Sequence, residues 1–456
     1  MSIMQSESRK TGARPPLPPW YKWALVGMLW FICFFNYADR LAISSVLKLI
    51  GAEFKFDKGQ LGLITAMFMW VYAVTSPFAG AVGDRFRRKS VILGGLYAWS
   101  FITSATAWCR NLTQFVAVRG LEGLGEAFYF PASMSLVSDY HGPRTRSRAM
   151  GIHQTSVYAG SILGPALAAW LAGPWGEEKT FEWRIPFYAF GILGIILGLF
   201  LVRFVHEARR GQADGDPTKQ SNPSPKPPQS LGRQIREMLA FMGEVFRIPT
   251  GLILLAVFSG ANYVATVFMA WGPMYVEEKF NTSLAVGALA ATTPLYMANM
   301  LGAVLGGIVA DSLARRLRGG RMVVQAAGLL VGGPFIYLAG IAGTLPLCIV
   351  GLSGFGLCKG IYDSNIWASL YDVIRPEKRA SATGIGNMIG WIGGGLGPII
   401  IGNMAERIGL GRAIALSSRV YLVVGLLMVA GVVLFARRDI ISPIVKQEAA
   451  LPAVKK

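Results

Sequence analysis

Long apolar runs recur along this chain, and they constrain it more than any other feature. YKWALVGMLWFICFFNYA begins at Tyr21 and YAFGILGIILGLFLV begins at Tyr188. About 20 apolar residues carry a helix across the hydrocarbon of a bilayer. Inside that layer each backbone polar group must be satisfied within its own segment, so such runs are expected to be helices. Dividing the chain at its runs gives twelve spans: 23–47, 60–82, 91–108, 113–137, 149–172, 185–205, 249–275, 285–311, 322–340, 345–371, 382–404 and 417–436. The mean hydropathy of +0.45 and a charged share of 15% agree, since soluble domains carry about 25% charged residues.

The expected fold is an all-α membrane protein, with twelve transmembrane helices in two pseudo-symmetric six-helix bundles. Residues 1–22 form an N-terminal tail, 23–205 the first bundle, 206–248 a linker, 249–436 the second bundle and 437–456 a C-terminal tail. The linker contains GQADGDPTKQSNPSPKPPQS, whose Pro, Ser and Lys content fits a flexible segment, followed by the amphipathic QIREMLAFMGEVF.

The net charge of +19 raises the question of nucleic acid, but its placement answers it. Of 44 Lys and Arg, with Arg203 and Arg419 at span ends counted in the loops they border, 31 fall in the two tails and alternate loops, against 10 in the other loops. That asymmetry puts both termini in the cytoplasm of a multi-pass protein, expected in the cell (inner) membrane. Attraction to anionic lipid headgroups accounts for the basic excess, so membrane lipids are expected partners and nucleic acid is not. Cys33, Cys109, Cys348 and Cys358 lie in or beside spans without metal-ligand spacing, and no metal site or cofactor is expected. The polar, Pro-rich N-terminus lacks a clear cleavable signal, so the first span is expected to stay in the protein.

The two halves repeat. Asp139, Pro143, Arg146, Gly151 and Pro165 recur 233 positions later as Asp372, Pro376, Arg379, Gly384 and Pro398. GAVGDRFRRK after span 2 recurs as GGIVADSLARR after span 8, with Asp311 lying 227 positions after Asp84. Six spans, a linker and six related spans is the plan of a transporter with its site between two bundles.

Within this apolar frame sit ionisable residues. Arg119, Glu122 and Glu126 stand at i, i+3 and i+7, on one helical face. A charge at the centre of a span costs about 2.5–3.5 kcal/mol, so this face must look at the bundle interior or at water. Span 1 supplies Asp39 and Arg40 beside Asn36 and Tyr37; span 10 supplies Lys359 and Asp363, with Tyr362 and Asn365 nearby. Lys359 is the repeat counterpart of Glu126. Tyr37, Tyr362 and Asn387 complete the candidate substrate contacts. His153 reads as a polar lining residue. Tyr158, Tyr296, Trp391 and other span aromatics are candidate cavity walls, with packing the default for each.

These motifs carry a resemblance. GAVGDRFRRK resembles the signature loop of the major facilitator superfamily. RGLEGLGEA resembles its span 4 motif and SILGP its span 5 Gly-Pro motif. NYADR, RGLEGLGEAFYFPA and the WR of FEWRIPFYAF look most similar to the anion:cation symporter branch, which includes hexuronate and galactonate permeases. The Spinster-like branch shares the span 1 Asp-Arg and the span 4 Arg and Glu. The resemblance implies proton coupling at Asp39 and Glu126 and substrate binding at Arg119. It also implies a latch of Asp84, Arg85, Arg88 and Lys89, with Asp311 in the weaker second copy, that joins the bundles in the outward-open state. Glu122 departs from the pattern, which has an apolar residue there, and Lys359 and Asp363 match nothing in it.

If the seven buried charges converge on one cavity, Arg40, Arg119 and Lys359 oppose Asp39, Glu122, Glu126 and Asp363. Protonating Asp39 and Glu126 then makes the site positive and frees Arg119 to hold a carboxylate. The expected function is proton-coupled symport of a small organic anion, such as a sugar acid, by a monomer driven by the proton gradient. A Spinster-like exporter of lysolipid or another amphiphile is the competing reading. With three His and no nucleophile–base constellation, an enzyme is not expected. A receptor is the remaining reading from another class.

Overall fold

The computed structural model describes residues 17–142, 145–175, 180–209, 212–213, 231–374 and 379–440. The first half runs α1 (Tyr21–Phe54), α2 (Lys58–Arg85), α3 (Arg88–Thr106), α4 (Leu112–Glu126), α5 (Tyr129–Tyr140), α6 (Arg146–Leu171) and α7 (Arg184–Phe204). A two-residue antiparallel ribbon, β1 (Pro174–Trp175) with β2 (Thr180–Phe181), joins α6 to α7. The helix α8 (Leu231–Phe246) covers the amphipathic part of the expected linker. The second half runs α9 (Pro249–Phe280), α10 (Leu284–Arg316), α11 (Gly320–Ile341), α12 (Leu345–Asp363), α13 (Ile366–Val373), α14 (Arg379–Ile408) and α15 (Leu410–Gly431). A π-helical turn (Val432–Ala436) and the short α16 (Arg437–Asp439) close it. The chain is an all-α membrane protein.

Among the described residues, nine helices are long and apolar enough to cross a membrane by length and composition alone. The more polar α3, the α4–α5 pair and α6 complete the twelve crossings. The crossings expected over 113–137 and 345–371 are each built from two helices rather than one. The first breaks at Ala127–Phe128, the second at Ser364–Asn365. Pro131 explains the first break, because its ring clashes with the carbonyl four residues back, that of Ala127. At the second, Asn365 Nδ2 donates to the carbonyls of Gly306 at 3.3 Å and Ile361 at 3.2 Å and to Ser364 Oγ at 2.9 Å.

The repeat is visible in the packing. A Cβ on Gly123 of α4 would meet the Phe68 carbonyl of α2; on Gly356 of α12 it would meet the Leu295 carbonyl of α10. Both contacts obey the two sequence offsets, 233 for span 4 to span 10 and 227 for span 2 to span 8. Small residues there let helices touch backbone to backbone. Outward faces carry residues such as Leu199, Phe200, Val423 and Leu426, each more than 60% exposed, as a lipid-facing surface requires.

The bundles meet along α2 with α14, α6 with α10, and α1 with α9. They are fastened where α1 ends and α2 begins. Lys48 Nζ bonds Glu277 Oε1 at 2.7 Å, Lys58 Nζ lies 3.7 Å from Glu278, and the Lys58 backbone N–H donates to Glu406 Oε1 at 3.0 Å. Beside these pairs, a Cβ on Gly62 would run into the Pro398 carbonyl, and one on Gly402 into the Lys58 carbonyl. At the same end Glu53 of α1 accepts from Trp183 Nε1 at 2.6 Å and from both terminal nitrogens of Arg184, at 3.1 and 2.5 Å. That clamp explains the Trp-Arg pair noted in the sequence.

Candidate functional site

The charged face of α4 lies against α1. Arg40 is 4% exposed, Arg119, Glu122 and Glu126 are 1% exposed, and Asp39 is 0% exposed. Arg40 donates from Nε and Nη2 to Glu126 Oε2, at 2.9 and 2.7 Å, and from Nη2 to Asn36 Oδ1 at 3.3 Å. Tyr37, Phe68 and Tyr72 ring its guanidinium, with centroids 4.5, 4.8 and 5.0 Å away. Arg119 pairs instead with Glu122 on its own helix, and its Nη2 donates to the Arg40 carbonyl at 3.1 Å. Two arginines are thus each matched by one glutamate. Both oxygens of Asp39 are buried with no hydrogen-bond partner among the described residues.

A cavity of about 420 Å³ opens between the bundles, within the range of small-ligand sites. Lys359 and Asp363 project into it, along with the carboxamides of Gln154, Asn262, Asn299 and Asn387. Tyr158, Tyr296, Trp367 and Trp391 supply aromatic wall. Lys359 bonds Asp363 one turn along α12, and Asn299 Nδ2 donates to the same Asp363 oxygen at 3.2 Å. The two charged side chains remain 20% and 30% exposed, so they face the cavity rather than the core.

The seven charges therefore do not converge on one cavity, which corrects that expectation. Arg40 and Arg119 border a separate closed space of about 10 Å³, room for no more than one water. Met269 and Trp391 line both spaces and form the wall between them. Tyr72 packs on the closed side of that wall, its ring 5.9 Å from Trp391. Tyr362 is also misplaced by the sequence reading. It is 2% exposed and lies outside the cavity lining, beside Gln325. Tyr37 faces Arg40, while Asn387 does line the cavity.

The sequence pattern of the Major Facilitator Superfamily matches residues 29–398. The chain belongs to that superfamily. It is a multi-pass membrane transporter for a small molecule, not an enzyme. It is 25% identical to Protein spinster of Drosophila melanogaster over 85% of this chain, an alignment covering 62% of that relative. It is 25% identical to the probable L-galactonate transporter of Escherichia coli, over 83% of this chain and 82% of the relative. It is 26% identical to a probable galactarate/D-glucarate transporter of Bacillus subtilis, over 85% and 86%. Among solved structures it resembles a bacterial homolog of the human lysosomal transporter Spinster in an inward-facing and occupied conformation. The TM-score is 0.76 at 19% identity, covering 94% of this chain and 100% of that one.

Among the described side chains of the signature loop, Arg88 and Lys89 are held within their own bundle. Arg88 pairs with Asp139, and the Arg88 and Lys89 backbone N–H groups donate to Glu207 at 3.0 and 2.8 Å. Lys89 Nζ donates to the Val202 carbonyl at 2.6 Å. The side chains of Asp84 and Arg85 lie outside the described residues. In the second copy Arg321 holds both oxygens of Asp372 at 2.9 Å and Asp311 at 3.1 Å. Arg88 and Arg321 are 233 apart, as are Asp139 and Asp372, so the same ion pair is built twice. Sequence reasoning missed Arg321, although the repeat offset points to it. It also missed Asn262, Asn299, Gln154 and Trp367, whose only signal was polar or bulky residues in otherwise apolar runs. His153 is fully buried beside Tyr129, with Nε2 3.0 Å from the phenol oxygen, and it does not line the cavity.

Proposed function

We propose that this chain is a proton-coupled secondary transporter of a small organic acid, of the sugar-acid kind named in two of its relatives. Asp39 carries this reading. It is the one carboxylate of the buried cluster without a matching cation or hydrogen bond. An unpaired charge at this depth costs several kcal/mol, so it is the group where binding a proton changes most. The acid enters the cavity and meets Lys359 and the four carboxamides, which suit hydroxyl groups. Movement of the Trp391 wall then brings its carboxylate within reach of Arg40 and Arg119. Glu126, released by Arg40, takes over the proton. Proton and acid thereby favour each other, a coupling that is reciprocal.

The bundles fastened at the α1–α2 end, with the cavity between them, support alternating access as the cycle. In this reading both termini lie in the cytoplasm of the inner membrane, the protein acts as a monomer, and the Asp84, Arg85, Arg88, Lys89 and Asp311 segments latch in the opposite state. The polar lining of the cavity favours an acid over the lipid-like amphiphile of the competing reading.

The test is Asp39→Asn in proteoliposomes. Accumulation driven by a pH gradient should disappear while counterflow exchange survives. Accumulation at the parent level would remove Asp39 from coupling.

A further inference from the structure

Every cation along the described pathway is already matched by a carboxylate of the same chain. Arg40 has Glu126, Arg119 has Glu122 and Lys359 has Asp363. Among the described residues, Lys359 and Asp363 are the one cation and the one carboxylate lining the open cavity, so that lining carries no net charge. A plain anion entering there must take Lys359 from Asp363. It would leave that carboxylate without its cation and beside a second negative charge, an arrangement that like-charge repulsion penalises. A plain cation would strand Lys359 in the same way.

We propose that the cavity selects a substrate carrying both charges, an amino-bearing acid whose carboxylate meets Lys359 and whose ammonium meets Asp363. This rests on the transport reading above and narrows its substrate class. Inserted between the two side chains, a zwitterion gives each a new partner, so no charge is left alone. The geometry leaves capacity for it. Lys359 Nζ makes one described hydrogen bond and so has two donors to spare, and both of Asp363's described bonds fall on Oδ2, leaving Oδ1 open. Tyr158, Tyr296, Trp367 and Trp391 line the same cavity, and aromatic rings attract an ammonium group. Glu122 extends the same rule to the closed space, where Arg119 is neutralised before any substrate reaches it.

A matched pair tests the idea. D-glucosaminate and D-gluconate differ by an amine in place of a hydroxyl. With the full chain in proteoliposomes under a pH gradient, glucosaminate uptake should exceed gluconate uptake about tenfold, the factor expected when one charged hydrogen-bond partner is gained or lost. Asp363→Asn should bring the two acids to within about twofold of each other, because the lysine is then free for a plain anion. Equal uptake of both acids by the parent chain overturns the inference and keeps the transport reading. Thermal stabilisation by lysophosphatidylcholine but by neither acid overturns this inference and the sugar-acid reading together, in favour of a lipid headgroup. Binding of none of the three overturns both. The parent comparison needs no variant, so a poorly folding Asp363→Asn does not block it.

Discussion

The helix that breaks in its middle occurs twice in this molecule, and its copies are wired differently. In the first half α4 ends at Glu126, whose carboxylate is gripped by Arg40 of another helix. In the second half α12 ends at Asp363, whose partner Lys359 lies one turn away on the same helix. The first pair is buried, with side chains at 3% and 0% exposure, and the second faces the cavity at 20% and 30%. A pair that joins two helices couples their positions, and burial makes breaking it costly. The pair within one helix reaches a neighbouring helix only through the neutral Asn299, and partial exposure leaves it open to a ligand. The repeated scaffold thus holds a buried helix-to-helix pair in one half and a cavity-facing pair in the other.

The sharpest way to break this comparison is to remove one cation from each copy. Arg40→Ala leaves Glu126 buried and unpaired, and should destabilise the protein by about 3–5 kcal/mol. Lys359→Ala exposes Asp363 to the cavity and should cost about 1 kcal/mol or less. Thermal unfolding of the two variants in one detergent measures both; similar losses would erase the distinction. Next in size is Glu126→Gln, which should lower gradient-driven accumulation by about 100-fold and leave exchange measurable. If accumulation persists, Glu126 takes no part in coupling.

Glu122→Gln sharpens the contrast from the other side. It keeps a hydrogen-bond acceptor for Arg119 but removes the competing charge, so the apparent affinity for acids should rise several-fold, about 1 kcal/mol. Initial uptake rates against acid concentration read this directly, and an unchanged half-saturation would mean that Arg119 never meets substrate. The smallest effect is expected for His153→Gln, whose ring pairs with Tyr129 in the core. It should cost about 1 kcal/mol of stability and leave the pH profile of uptake where it was. A displaced profile would make His153 a proton carrier after all.

The sequence carried the spans and the repeat because both are written in composition and spacing. Apolar runs mark crossings whatever they pack against, and the 233 offset has a structural counterpart in Gly123 and Gly356, each of which admits a neighbouring carbonyl. The charged face of α4 followed from helical period. Its partner did not: Arg40 reaches Glu126 across 86 residues of chain, and no spacing rule predicts which of two carboxylates a distant arginine selects. The break in α4 was legible in principle at Pro131; that in α12 rests on Asn365 and its tertiary partners. Least legible was Trp391. Its place between the open cavity and the closed space arises where both share one ring, and in the sequence it is one candidate wall among many aromatics.

The seam between α2 and α14 has a consequence for how the protein answers its surroundings. At that end two kinds of fastening lie side by side: partly exposed ion pairs at Lys48 and Lys58, and bare backbone contact at Gly62 and Gly402. Dissolved salt screens the first and leaves the second untouched. The resting balance between the two orientations of the transporter should therefore vary little with ionic strength, since shape holds the closed end when charge is weakened. A single methyl group at Gly62 would act as a wedge felt by one orientation alone, and shift that balance in a way that brine cannot.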